Sequence, residues 1–106
     1  MKSSYNLARM SFVIILAPEA VDDLKRLKAN IRADVRAALE THLRHEPKKL
    51  SRSRIKPLRG LRRPQYRLRV GEIGIFYDVT ETTVEVLAIV AKLEADSWLA
   101  QFGNPA

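Results

Sequence analysis

Hydrophobic and polar residues repeat with different periods along this chain, and the changes of period divide it into elements. The continuous apolar run Phe12–Leu16 is rich in β-branched residues, which predicts a strand buried on both faces in the interior of a sheet. Pro18 favours a first helical turn. From there to Leu43 apolar residues recur every three or four positions, and this stripe predicts a helical hairpin over about 18–28 and 31–45.

The second half of the chain has the two-residue period of β-strands. Apolar and basic residues alternate in Tyr66–Val70, and Gly71–Glu72 predicts a tight turn with glycine in its first position. A second strand follows in Ile73–Val79. The last strand is predicted at Val84–Lys92, and it should be central because Val86–Val90 is nearly all apolar. Glu94–Gly103 predicts a terminal helical turn or two.

The predicted order of elements is β-α-α-β-β-β, which indicates an α+β fold. The first strand stands apart from a three-stranded meander, and the helical hairpin packs on one face. Residues 47–65 are interrupted by Pro, Gly and Ser and show no sustained hydrophobic period, so we predict a loop with at most one short strand. Residues 1–10 lack a clear period and are predicted to be an N-terminal extension, which leaves 11–106 as a single domain.

Composition narrows the class of protein without identifying it. The chain is 46% hydrophobic and 29% charged, as is ordinary for a globular domain, and its lack of cysteine excludes disulfides and thiolate metal sites. His42 and His45 are three residues apart with no third ligand close in sequence, so we predict no metal and no cofactor. The apolar run Phe12–Leu16 is too short to cross a bilayer, and we predict a cytoplasmic protein without membrane contact.

Positive charge is concentrated in one part of the chain. The net charge is +7, and Arg44–Arg69 holds eleven Lys or Arg residues against the single acid Glu46. The rest of the chain has eight basic and eleven acidic residues. A concentrated basic region attracts polyanions, nucleic acids above all, although a solvated loop has the same composition.

Two arginines on one predicted strand are the leading candidates for binding an anion. Arg67 and Arg69 project from the same face, roughly 6–7 Å apart by strand geometry, and could clamp one phosphate or two adjacent ones. The alternative is a solvated edge hairpin whose basic residues prevent sheet-to-sheet aggregation. Candidate RNA-binding residues in the preceding loop, which could equally be merely solvated, are Lys56, Arg59, Arg62 and Arg63.

Four segments resemble the RelE/ParE superfamily of bacterial type II toxins when taken in order. They are the pattern F-I-L-P-E-A near the start, "KPLRGLRR" followed by "YRLRVGEI", "IFYDV", and "VEVLAIVAKLEADSWL". The resemblance covers about residues 11–103. It implies a RelE-like fold, in which an antiparallel sheet carries an N-terminal helical hairpin.

The resemblance also implies a function and a partner. RelE-type toxins cut mRNA in the ribosomal A site, ParE-type toxins inhibit DNA gyrase without catalysis, and both kinds are neutralised by a cognate antitoxin. Arg67, Arg69 and Lys92 correspond to basic residues that act on the RNA in RelE-type enzymes. Trp98 stands where a catalytic tyrosine is common and could stack on a base or simply pack, and Gly74 stands where an arginine is usual.

These correspondences favour a ribosome-dependent, metal-independent endoribonuclease as the leading interpretation. Cleavage through the ribose 2′-hydroxyl needs a proton acceptor, stabilisation of the phosphate and a proton donor. Lys92 could supply charge or a proton, whereas the candidate bases Glu94, Asp78 and Asp96 are placed by no motif. Two alternatives remain: a gyrase inhibitor, and a degenerate toxin that only binds its antitoxin.

Overall fold

The fold is seen in a computed structural model that describes residues 11–106. The predicted extension, residues 1–10, lies outside the described residues. The helices are α1 (Pro18–Arg26), α2 (Ala29–Ala38, continued by the π-helical turn Leu39–Leu43) and α3 (Ala95–Phe102), with the 3₁₀ turn Lys92–Glu94 before α3. The strands are β1 (Val13–Leu16), β2 (Ile55–Pro57), β3 (Leu61–Arg63), β4 (Tyr66–Val70), β5 (Ile73–Val79), β6 (Thr83–Ala91) and β7 (Asn104–Pro105).

Five strands form one sheet in the order β1-β6-β5-β4-β2, and β3 pairs with β7 beside it. The predicted hairpin is confirmed: β4 and β5 are antiparallel, with Val70 opposite Ile73 across the turn. Gly71 has a φ of 57°, which side chains disfavour, so glycine suits the first position of this turn. The prediction that β6 is central is also confirmed, because β6 pairs on both sides.

The apolar run of the first strand had predicted a position in the interior of the sheet, and this prediction is wrong. Among residues 11–106, β1 is an edge strand that pairs with β6 alone, and it leaves Val13 56% and Ile15 49% exposed. It also does not stand apart from the meander, because it joins β6 in parallel, with Leu16 opposite Val86. The sheet is therefore mixed rather than wholly antiparallel. β-Branched composition indicates a strand but does not say how many of its faces are covered.

The boundaries of the other elements differ from the predictions in smaller ways. The second helix begins at Ala29 rather than at residue 31, and its last turn, Leu39–Leu43, is π-helical. The predicted loop 47–65 contains two short strands, β2 and β3, instead of at most one. Both are only three residues long, which is too short for a hydrophobic period to be visible in the sequence.

The sheet separates two hydrophobic clusters of different size. The larger lies under α1 and α2 and includes Leu68, Ile75 and Tyr77. The smaller lies on the opposite face, where Phe76 and Ala88 pack against α3. The predicted alternation along β5 is therefore confirmed. Because α3 is short, part of the second face remains open, and this open part carries the basic residues of β4.

Candidate nucleic-acid interface

Arg67, Arg69 and Lys92 surround one shallow depression of about 10 Å³, although Lys92 lies more than twenty residues beyond the two arginines in sequence. The floor and wall of the pocket are formed by Ile73, Gly74 and Ala95. We call these six residues the arginine pocket. The structure thus brings together the three side chains that the resemblance had selected as catalytic.

Strand pairing explains how these side chains meet. Arg67 and Arg69 flank Leu68, which is fully buried under the helices, so the two arginines point to the opposite face of the sheet. The Lys92 backbone N–H donates a hydrogen bond of 2.7 Å to the Glu72 carbonyl oxygen. This bond ties the end of β6 to the β4–β5 turn and places Lys92 beside the arginines.

Gly74 forms the seat on which the Arg67 side chain lies. Arg67 is paired across the strands with Phe76, but Trp98 covers the Phe76 ring. The two rings stack with their centroids 5.0 Å apart and an angle of 6° between their planes. A Cβ atom added at Gly74 would lie 3.6 Å from Cδ of Arg67. The aromatic pair therefore blocks one side, and the bare glycine leaves room for the arginine stem on the other.

The charges of the arginine pocket are not neutralised within residues 11–106. None of Arg67, Arg69 and Lys92 has a carboxylate within ion-pair distance in this part of the chain. Both arginines are half-buried and Lys92 is exposed. Guanidinium groups keep their charge and match phosphate oxygens with paired N–H donors, so the arrangement is suited to a phosphate.

The four basic candidates of the preceding loop do not form one surface. Lys56 lies on β2 directly opposite Arg67 and extends the arginine pocket towards the edge of the sheet. Arg63 instead forms ion pairs with Asp78, at 3.1 Å, and Glu85, at 2.9 Å. The charge of Arg63 is thus neutralised by two carboxylates. The remaining two, Arg59 and Arg62, are exposed and outside the arginine pocket.

Trp98 lies against two other aromatic rings: Phe76 covers one face of its ring, and the Phe102 ring centroid lies 5.5 Å from that of Trp98. The packing alternative considered from the sequence therefore accounts for these contacts. The ring holds α3 on the sheet, and only part of it remains open to a nucleic-acid base.

The arginine pocket offers little acid–base chemistry. Of the described lining residues, the Lys92 ammonium is a potential proton donor, whereas the guanidinium groups of the two arginines stay protonated. Tyr77 is buried on the other face, where its hydroxyl donates to the Pro47 carbonyl at 2.7 Å, and burial raises its pKa above the ordinary value. Asp78 accepts the Gln65 backbone N–H, and burial raises its pKa although that bond and Arg63 oppose the shift. Of the candidate bases, Glu94 and Asp96 flank the pocket residue Ala95 and are exposed.

The family of the chain follows from a match over most of its length. A sequence model described as the ParE toxin of the type II toxin-antitoxin system, parDE, matches residues 14–94. The chain belongs to this ParE toxin family. This protein is therefore a RelE/ParE-like toxin of a type II toxin–antitoxin system, as its motifs had indicated. A search of curated protein sequences finds no significant match.

Solved structures confirm the RelE-like fold of the toxin. The RelBE2 toxin–antitoxin complex of Mycobacterium tuberculosis contains a chain with 26% identity and a TM-score of 0.63, with 77% of this chain and 92% of that chain covered. The RelB–RelE complex of Methanococcus jannaschii gives 24% identity and a TM-score of 0.61, over 79% and 96%. The DinJ–YafQ complex of Escherichia coli contains a chain with 13% identity and a TM-score of 0.54, with 80% of this chain and 96% of that chain covered.

Residues 11–106 contain neither a cluster of potential metal ligands nor a helix long and apolar enough to cross a membrane. Side chains able to ligate a metal form no group of three in this part of the chain. Its helices are too short or too polar to cross a bilayer.

Proposed function

We propose that this toxin is a ribosome-dependent endoribonuclease that binds mRNA in the arginine pocket and cuts it without metal or cofactor. The observation that supports the proposal is the convergence of Arg67, Arg69 and Lys92, with no carboxylate paired to any of them in residues 11–106. Three positive charges around one shallow depression provide electrostatic stabilisation for a phosphate that gains negative charge.

The proposed reaction uses the ribose next to the bond that breaks. The 2′-oxygen attacks the phosphorus, the bond from phosphorus to the 5′-oxygen breaks, and the products are a 2′,3′-cyclic phosphate and a 5′-hydroxyl. The two arginines stabilise the pentacoordinate phosphate, and the Lys92 ammonium donates a proton to the leaving 5′-oxygen. The proton of the 2′-hydroxyl passes to solvent, and the ribosome aligns the RNA, which lowers the barrier by orientation.

Primer extension on cellular mRNA tests this proposal. Brief induction of the toxin without its antitoxin should give cuts inside translated codons. These cuts should vanish when translation is blocked before induction. Cuts that persist without translation would exclude a ribosome-dependent enzyme. Growth arrest with intact mRNA would exclude RNA cleavage as the toxic activity.

A specific observation favours a second candidate, a gyrase inhibitor that catalyses nothing. Among residues 11–106, no carboxylate, histidine or tyrosine lines the arginine pocket, so this part of the toxin offers no evident general base there. A protein that only binds its target needs none. Growth arrest with intact mRNA and inhibited DNA supercoiling would support this candidate.

Substitution of Gly74 tests whether a missing arginine has made the toxin degenerate, able to bind its antitoxin but not to act. The position accepts a side chain, because an added Cβ would be in ordinary contact with Arg67 and with the Val90 carbonyl oxygen, at 3.6 and 3.9 Å. We expect Gly74→Ala to fold and to change the free energy of unfolding by about 1 kcal/mol or less, measured by urea denaturation. If the toxin is degenerate, Gly74→Arg should raise toxicity sharply compared with Gly74→Ala.

The opposite result has a structural interpretation. If Gly74→Arg leaves wild-type toxicity unchanged or lowers it, the glycine is not a defect. Arg67 would then already fill the space above Gly74, and a second long side chain would compete with it.

We also propose that a cognate antitoxin covers the basic face in the cytoplasm. Toxin–antitoxin complexes are among the structures that share the fold. An acidic antitoxin segment over Arg67, Arg69 and Lys56 would neutralise charges that lack partners in residues 11–106. We expect the affinity for the antitoxin to fall steeply as salt rises, as measured by titration calorimetry at several salt concentrations. A flat response would show that the antitoxin binds elsewhere.

A further inference from the structure

A second basic pocket lies on the far side of β2 from the arginine pocket. It is bounded by the π-helical turn at the end of α2 and by the segment that leads into β2, and its volume is about 230 Å³. Its ionisable lining residues are His42, His45, Glu46, Lys49 and Arg54. We call it the histidine pocket. It is several times larger than one water molecule, which takes up about 30 Å³, so it can admit a polyatomic ion.

Hydrogen bonds fix the backbone around the histidine pocket. The Tyr77 hydroxyl donates to the Pro47 carbonyl at 2.7 Å and ties the segment to the core. The Ser51 hydroxyl oxygen accepts the backbone N–H groups of Arg54 and Ile55, at 3.0 and 3.1 Å. The basic side chains thus extend from an ordered rim, and an anion would not have to order a free loop in order to bind.

The histidine pocket has an excess of positive charge that increases with acidity. Glu46 lies 3.8 Å from Lys49 and offsets that lysine, whereas Arg54 has no carboxylate partner in residues 11–106. Lys49 and Arg54 against Glu46 leave one net positive charge, and protonation of the two histidines would add two more. Burial lowers the pKa of His42, and the nearby Arg54 charge lowers it further. An anion in the pocket would reverse the second effect.

β2 connects the two pockets. Its Lys56 lies opposite Arg67, and the Arg54 carbonyl oxygen accepts the Arg69 backbone N–H at 2.8 Å. Because β2 is at the edge of the five-stranded sheet, no further strand of residues 11–106 separates the two faces on this side. A flexible chain of phosphates that occupies the arginine pocket can therefore pass around this edge.

We propose that the histidine pocket binds a phosphate group of RNA and thereby extends the RNA-binding surface around the edge of the sheet. The ligand class is a phosphodiester, held by Arg54 and Lys49 with the histidines as further donors. This inference rests on RNA as the ligand in the proposed function, but it does not require that the RNA is cut.

The test measures binding of a fluorescently labelled single-stranded RNA to the full chain by anisotropy, over a series of salt concentrations. The double variant Lys49→Gln/Arg54→Gln should bind at least about fivefold more weakly, and the slope of log affinity against log salt should fall by about 0.7 for each phosphate that the variant no longer neutralises. The matched control is Lys25→Gln/Lys28→Gln, which removes two exposed charges outside both pockets. An affinity and a slope equal to those of this control would overturn the proposal.

Acidity provides a second readout at the same site. RNA affinity of the wild type should rise as the pH falls from about 7.5 to 5.5, because a protonated imidazole adds positive charge to the pocket. Burial and Arg54 lower the pKa of His42, so the contribution of this residue should appear towards the acidic end of the range. The variant His42→Gln/His45→Gln should show a smaller rise. An equal rise in RNA affinity in both proteins would show that the histidines do not contribute to RNA binding.

Two further arms separate this proposal from others. If Arg67→Ala lowers RNA affinity and the Lys49/Arg54 variant does not, the histidine pocket is excluded while the proposed function stands. If the Lys49/Arg54 variant binds RNA weakly but the wild type cuts no mRNA, the pocket stands and the proposed cleavage fails. Inorganic phosphate that shifts the His42 and His45 NMR signals at millimolar concentration, without competition from RNA, would assign the pocket to a free anion instead.

Discussion

Replacement of Arg67 by alanine should lower the rate of mRNA cleavage about 10²–10³-fold, which is the usual effect of removing one donor that stabilises charge in a transition state. Arg67 is half-buried between the Phe76–Trp98 pair and Gly74, so its charge acts in partly water-excluded surroundings where electrostatic interactions are stronger. The measurement is single-turnover cleavage of mRNA on programmed ribosomes, supported by primer extension from induced cells.

Three variants make the result specific. Arg67→Lys keeps the charge but loses the paired N–H donors, so we expect a smaller loss of rate. Arg59→Ala removes an exposed arginine outside the pocket and should leave the rate nearly unchanged. Lys92→Ala should lower the rate about 10²–10⁴-fold if Lys92 donates the proton, and less if it only contributes charge.

The folding stability of Arg67→Ala shows whether a loss of activity comes from the missing guanidinium group or from unfolding. This side chain forms no ion pair in residues 11–106, so the free energy of unfolding should change little when it is removed. Cleavage at the wild-type rate by a well-folded Arg67→Ala protein would contradict a role in phosphate binding. The arginine pocket would then serve the antitoxin or another target.

The β4–β5 hairpin was predictable because its information is local. Alternation of side chains in Tyr66–Val70 and the glycine-first turn at Gly71 specify both the pairing and the outward face of Arg67 and Arg69. The same alternation assigned Tyr77 and Phe76 to opposite faces of the sheet.

Features that depend on distant partners could not be predicted in this way. The edge position of β1 follows from its parallel pairing with β6, which lies about seventy residues further along the chain. Arg63 looks like any other basic loop residue until the fold brings Asp78 and Glu85 to it. Lys56 becomes part of the arginine pocket's surroundings only through the register of β2 against β4.

Gly74 and the histidine pocket show a different limit of the sequence. In the sequence Gly74 is visible only as a missing arginine. In the structure the side chain of Arg67, from the neighbouring strand β4, lies against Gly74. His42 and Arg54 were not connected by any motif, because a twelve-residue separation across a helix end and a loop has no period. A dense basic segment was the one available signal, and it did not show that the basic residues lie on two sides of β2.

The largest effect on stability should come from Phe76→Ala. Phe76 is fully buried in the small cluster that holds α3 on the sheet, and its ring stacks on Trp98 at 5.0 Å. Truncation of a buried phenylalanine costs about 3–5 kcal/mol of unfolding free energy, a large share of the 5–15 kcal/mol typical of a domain. Urea denaturation should therefore show a much lower midpoint, whereas Phe102→Ala, which alters a residue that is 58% exposed, should have a small effect.

A double-mutant cycle then distinguishes the two roles considered for Trp98. If Trp98 packs, Trp98→Ala should destabilise the fold, and its effect should couple to that of Phe76→Ala by about 0.5–1.5 kcal/mol. RNA affinity should fall only as far as the seat of Arg67 is disturbed, and Trp98→Phe should restore most of both properties, because a smaller ring can still cover Phe76. The opposite outcome is a Trp98→Ala protein of unchanged stability that binds RNA weakly. That result would mean that the open part of the ring stacks on a base, and that other residues hold α3 against the sheet.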